Sequence, residues 1–184
     1  MNLQELLNKW NIKCDVNILL AMWNESHRSY HNLNHLNDLI EQINENKYKF
    51  SEKEYEKLML AALFHDCVYD PIKNDNEEKS AEFFESCCRN KNSDIEEIKQ
   101  MILDTKTHQS TTSLSESFNH YDMSIVERDF DQLLEWENGI REEYKAYGSA
   151  YKEGRLKFLE SLLDKYTHNT DNLLKLIDWV KNNY

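Results

Sequence analysis

Turn-forming residues are nearly missing from this chain, which has 3 glycines and 1 proline among 184 residues. A many-stranded sheet needs frequent tight turns, and those draw on Gly, Pro and Asn-Gly pairs. Their scarcity, set against abundant Leu, Lys, Glu and Gln, excludes a β-sandwich or barrel and predicts an all-α fold. No Ser/Gly/Pro-rich stretch divides the sequence either, so residues 1–184 are expected to form a single helical domain. Basic residues are also few, 22 Lys and Arg against 34 Asp and Glu, for a formal net charge of -12. That field argues against nonspecific nucleic-acid binding, which needs Lys/Arg stripes. The longest apolar run, Leu58 to Phe64, is far shorter than the roughly 20 residues of a membrane span. The start, Met1-Asn2-Leu3-Gln4-Glu5, lacks the basic and apolar regions of a secretory signal, so a cytoplasmic, membrane-free location is expected. Four cysteines stand as solitary Cys14 and Cys67 and adjacent Cys87 and Cys88, with no CxxC spacing, which predicts free thiols.

What the chain does have is helical periodicity with start signals. Asp15 is placed to cap a helix carrying Val16, Leu19, Leu20 and Trp23 and running on toward His27. Asn32 is placed to cap the next, whose stripe reads His35, Leu36, Leu39, Ile40, Ile43. Ser51 with Glu54 makes a capping box ahead of Tyr55, Leu58, Ala62 and His65, and Asp70-Pro71 ends that stretch. An acidic helix start follows at Glu77-Glu78, and Ser93 with Glu96 makes a second capping box before Ile95, Ile98 and Ile102. The polar run Gln109 to Ser117 reads as the clearest loop, with Asp122 opening or preceding a long helical stretch through Leu133, Ile140, Leu159 and finally Leu173 to Val180. Trp10, Trp23, Trp136 and Trp179 are assigned to the core, and His27, His120 and His168 to the surface or to structural roles.

Two histidines therefore fall where the helical period predicts interior, and a carboxylate, Asp66, adjoins the second. Buried polar groups are costly unless paired or metal-bound. A single inward histidine is as well explained by a hydrogen bond to a backbone carbonyl, so the weight lies in the combination. His31 and His35 share one helix face at i, i+4, His65-Asp66 closes another helix, and Asp122 lies far along the chain after a polar loop. Two imidazoles and two carboxylates suit a borderline divalent cation and leave room for water or substrate.

With these residues in view, the sequence resembles the HD superfamily of metal-dependent phosphohydrolases, whose pattern of a His, a His-Asp pair and a distant Asp reads here as His35, His65-Asp66, Asp122. Tyr30-His31-Asn32-Leu33-Asn34-His35 is similar to the Y-H-N-x-x-H motif of cyclic-nucleotide phosphodiesterases. A closer likeness, to a small, mostly bacterial group of HD phosphohydrolases, spans about Glu25 to Tyr166. It rests on Phe64-His65-Asp66-Cys67-Val68-Tyr69-Asp70-Pro71, Asn76-Glu77-Glu78-Lys79-Ser80-Ala81, Thr105-Lys106-Thr107-His108, Asp122-Met123-Ser124-Ile125, Ile140-Arg141-Glu142-Glu143-Tyr144 and Gly154-Arg155. The resemblance implies a helical bundle and one divalent ion (Mn, Co, Ni, Mg, Zn or Fe) held by His35, His65, Asp66 and Asp122. Tyr69 stands where the cyclic-nucleotide enzymes carry a second-metal histidine, which is why one ion is expected rather than two.

Under that resemblance His31 is the candidate general acid and Asp66 a candidate proton acceptor as well as a ligand. The substrate would be a small anionic phosphomonoester or phosphodiester, such as a nucleotide. Arg28 and Arg141 lead as phosphate-binding residues, because arginine's planar fork matches phosphate best, with Lys73, Lys106 and Arg155 behind them. Tyr69 and His108 are further substrate-side candidates, and Glu77 and Glu78 are candidates to hold metal waters. A homodimer is compatible with the exposed faces of such helices. Two other classes stay open at this point, a silent nucleotide-binding regulatory module and a di-iron oxygenase.

Overall fold

In the computed structural model, which describes residues 2–166 and 170–184, the chain is all-α. His168 lies outside the described residues. The helices are α1 (Leu3–Lys9), α2 (Val16–Trp23), α3 (Leu33–Glu45), α4 (Glu52–Phe64), α5 (Asn76–Cys87), α6 (Ser93–Asp104), α7 (Ser113–Asp122), α8 (Phe130–Glu143), α9 (Ala150–Leu163) and α10 (Thr170–Asn183). Strands are absent among the described residues, and the single β-bridge pairs Ile12 with Cys88. No helix there is long and apolar enough to cross a membrane. All four cysteines are free thiols. The residues divide into two compact units between Asp122 and Met123.

The first unit is organised around α4, which packs against α3, α5, α6 and α7. That encirclement explains its composition. Where most helices here bury one stripe, α4 is buried continuously from Tyr55 to Phe64, so its apolar run has no polar face to spare. The capping box predicted at its start is present, Ser51 Oγ accepting from the Glu54 N–H while the Glu54 carboxylate accepts from the Ser51 N–H at 2.8 Å. Its last residue is Phe64, well before Pro71, and His65 is the capping residue. The His65-Asp66 dipeptide thus sits at the exit of the most buried helix in the unit.

Asp15 and Asn32 cap α2 and α3 as expected, each side chain accepting a backbone N–H two residues on. Three expectations are corrected. Helix α2 stops at Trp23 instead of continuing toward His27, and residues 24–32 form an irregular segment. Asn92, not Ser93, caps α6, accepting from both Asp94 and Ile95. Most of the polar run Gln109–Ser117 is not loop: α7 begins at Ser113, and Asp122 ends that helix rather than opening a new one. Leu114, Ser115, Phe118 and Tyr121 form the buried face that α7 turns toward α3, α4 and α6, so packing decides where local polarity misleads.

In the second unit α10 packs on α8 and α9, burying Leu173, Leu176, Ile177 and Val180. Gly148, at φ +53°, makes the turn into α9 in a backbone region that side chains disfavour. Trp23 and Trp136 are buried as expected, whereas Trp10 and Trp179 are half-buried.

Candidate metal centre

Each side chain of the centre is delivered by the end or first turn of a helix in the first unit. His35 stands in the first turn of α3, His65 caps α4, Asp66 follows it, and Asp122 closes α7. One potential ligand atom each from His35, His65 and Asp66 lie within 4.8 Å of one another. Asp122 joins them through Oδ1, 3.0 Å from His35 Nε2 and 3.4 Å from His65 Nε2, while Asp66 Oδ2 is 3.2 Å from the same His65 nitrogen. The distant Asp therefore converges on the imidazoles.

His65 is the pivot. Its ring, 1% exposed, is walled by Trp23 and Phe118 with centroids 5.2 Å and 5.6 Å away. Nδ1 donates to the Ala62 carbonyl at 3.1 Å, because only a protonated nitrogen can meet a carbonyl oxygen. Nε2 is thereby turned to the carboxylates, yet it is buried and makes no hydrogen bond. A neutral ring in this tautomer points a lone pair at two anions, an arrangement that calls for a cation, whether a proton or a metal. Burial alone would lower the His65 pKa, but the Asp66 and Asp122 charges outweigh it and hold it well above the ordinary imidazole value. Burial likewise works against the charges on Asp66 and Asp122, and His65 overrides it, keeping both carboxyls well below their usual range.

Folding linkage follows with opposite signs. The raised His65 pKa contributes stability to the metal-free protein that is fully present below about pH 6.5 and lost as pH climbs through the raised value. The depressed carboxylates contribute above about pH 3.9, and that contribution is lost as pH falls. A metal held through His65 Nε2 would have to displace that proton, so its affinity would run the other way. We expect Zn2+ or Mn2+ titrated into metal-stripped protein to release close to one proton per ion. Affinity should rise about tenfold per pH unit until the His65 pKa is passed. Calorimetry in buffers of different ionisation enthalpy measures this, and pH-independent binding would place His65 outside the coordination sphere.

The remaining candidates fall into distinct places. His31 is half-buried beside the cluster, its ring centroid 6.0 Å from that of His35 and 4.5 Å from that of Tyr69, and its charge acts on Asp66. Tyr69 is buried, stacked on His27, and its carbonyl accepts from His27 Nε2 at 2.9 Å. His108 reaches Asp122 Oδ2 at 3.3 Å. Glu77 is largely buried near Asp66; burial first, and the Asp66 charge besides, push its pKa up. Glu78 instead pairs with Lys106 at 2.5 Å, which lowers its pKa.

Arg28 is not arranged as a phosphate clamp. Arg28 has a fully buried side chain whose Nε and Nη2 each reach Glu25 Oε2 at 3.1 Å. Its Nη1 donates to the His31 and Asp66 carbonyls at 2.9 Å and 2.8 Å, and Nη2 to the Cys67 carbonyl at 3.0 Å. With its five donors so directed, Arg28 is a bracket between the segments carrying His31 and Asp66, not a fork open to substrate. Arg155 is buried in the second unit against Glu137 at 2.6 Å and over the Trp136 ring. Arg141 lies over the Tyr184 ring of the same unit, 3.9 Å from its centroid.

Two residues that sequence reasoning passed over also serve the site. Trp23 walls the His65 ring and donates from Nε1 to the Leu63 carbonyl at 2.9 Å. Asp104 gathers the ends of the loop that carries His108. Neither announces itself locally, since an apolar Trp and a helix-terminal Asp are ordinary features. Comparison with family models, curated proteins and solved structures returns no match for this chain.

Proposed function

We propose that the chain is a metal-dependent phosphohydrolase of the HD type, acting on a phosphomonoester or phosphodiester of a nucleotide or similar small metabolite. The observation that carries the reading is the buried His65 Nε2, without a hydrogen bond and facing Asp66 and Asp122, while Nδ1 is locked to a carbonyl. His35, His65, Asp66 and Asp122 would hold one divalent cation. When bound, such a cation supplies an acidified water and neutralises phosphoryl charge.

The chain's own residues supply the rest. The low pKa of Asp66 keeps it an anion suited to ligation, and the raised pKa of Glu77 beside it suits that group to accept a proton from water. His31, next to His35 and Tyr69, would donate a proton to the leaving oxygen. Arg28 fixes the backbone of His31 and Asp66 at one bracket, so donor and ligand keep a set separation.

The test is turnover. Metal-stripped protein reloaded separately with Mn2+, Co2+, Ni2+ or Mg2+ should hydrolyse some member of a panel of phosphomonoesters and diesters, lose activity to a chelator, and regain it on reloading. A sample carrying one ion per chain that turns over nothing on the panel would instead make the protein a binding module.

A further inference from the structure

The two oxygens of Asp122 are treated differently by their surroundings. Oδ1 faces His35 and His65, whereas Oδ2 accepts from His108 Nε2 at 3.3 Å. His108 comes from a loop between α6 and α7 and adopts φ +50°, a left-handed conformation that a non-glycine residue holds at a cost of about 1 kcal/mol. Such a conformation persists only when the surroundings fix it.

They do. Asp104, in the last turn of α6 and 5% exposed, accepts on Oδ2 from the Thr111 N–H at 2.9 Å, from Thr111 Oγ1 at 2.8 Å and from Ser115 Oγ. Its Oδ1 accepts from Gln100 Nε2 at 2.7 Å. One buried carboxylate thus ties the end of α6 to the start of α7 and closes the loop between them. Lys106, in the same loop, donates to the Asn74 carbonyl and to Glu78, each at 2.5 Å, which anchors it to the α5 side.

We propose that His108 is a positioning residue for the cation site: it holds Oδ2 of Asp122 and so keeps Oδ1 turned toward His35 and His65, where a cation would be held, and the Asp104 clasp holds His108. The proposal rests on the reading of the four-residue cluster as a metal site. It makes His108 the partner of Asp122, a candidate ligand, rather than of the substrate phosphate. A carboxylate released from such a partner turns or binds through both oxygens, and loss of an outer-shell partner of this kind costs about 10- to 100-fold in metal affinity.

Three variants test it, each stripped of metal and titrated with Mn2+ by calorimetry, with a thermal melt of the metal-free protein alongside. His108→Gly suits the positive φ and removes only the imidazole; it should keep a cooperative melt near that of wild type and bind Mn2+ about 10- to 100-fold more weakly. His108→Gln, whose amide can donate to Oδ2, should recover most of that loss, which a merely structural imidazole would not predict. Asp104→Asn should lose affinity in the same direction with His108 still present. Wild-type affinity in His108→Gly overturns the proposal, and so does a loss beyond about 1000-fold, which would make His108 itself a ligand. If the wild-type protein binds no Mn2+ at all, the cation reading falls and takes this proposal with it, an outcome distinct from the other two.

Discussion

Asp122→Asn is expected to lower metal affinity by more than about 100-fold, above the range of outer-shell changes, and to remove turnover with it. Asparagine keeps the size and shape of the side chain but not its charge, so α7 retains its ending and only the anion opposite His35 and His65 disappears. His65→Ala should be worse in both respects. It takes away the nitrogen the carboxylates share and leaves Asp66 and Asp122 buried near each other with no counter-charge from His65, at a cost of roughly 3–5 kcal/mol to the metal-free fold. Calorimetric titration and thermal melts separate the two effects: Asp122→Asn should lose binding and only the part of the stability that the Asp122 charge contributes, because Asp66 still faces His65, whereas His65→Ala should lose binding and more stability. An Asp122→Asn protein that binds Mn2+ within threefold of wild type would contradict the assignment.

Arg28→Ala is expected to be strongly destabilising although Arg28 is no part of the apolar core. The guanidinium is out of water, and removing it strands the carbonyls of His31, Asp66 and Cys67. A buried acceptor left without a partner costs about 1–3 kcal/mol, so a loss of at least about 3 kcal/mol follows. In a chain of this size that lowers the melting temperature by about 6–12 °C. Arg28→Lys should not rescue it, because one ammonium cannot reach the carbonyls of two segments and Glu25 together. Denaturant titration measures both variants, and an Arg28→Lys protein within about 1 kcal/mol of wild type would show that the bracket is dispensable.

That residue also shows where sequence reasoning runs out. An arginine next to a His-rich motif suggests phosphate, but two of the partners of Arg28 are backbone carbonyls 38 and 39 residues away, and a carbonyl carries no sequence signature. The helical class was legible from the lack of Gly and Pro, and Asp15, Asn32 and Ser51 announced their helices because capping is a local hydrogen bond. Ser93 failed for an instructive reason. Asn92 beside it is an equally good capping residue, and nothing local decides between neighbours. The start of α7 was hidden because its first turn is polar, and only its packing on α3, α4 and α6 makes it helical.

For the site, His35 and His65 were legible as inward-facing from the three- and four-residue spacing, and the structure brings Asp66 and Asp122 to them. The role of His108 was not, since its approach to Asp122 depends on a left-handed residue and a clasp closed by Asp104 across the loop. Long-range polar contacts of this sort are set by the fold, and the pattern that writes the fold is mostly apolar.

The most direct test is crystallographic. Anomalous difference maps from crystals of metal-stripped protein soaked in Mn2+ or Zn2+ should show one strong peak about 2.0–2.3 Å from His35 Nε2, His65 Nε2 and carboxylate oxygens of Asp66 and Asp122. A peak elsewhere, or a fully soaked crystal in which His65 Nε2 still faces its two carboxylates with no ion between them, would contradict the proposed metal chemistry.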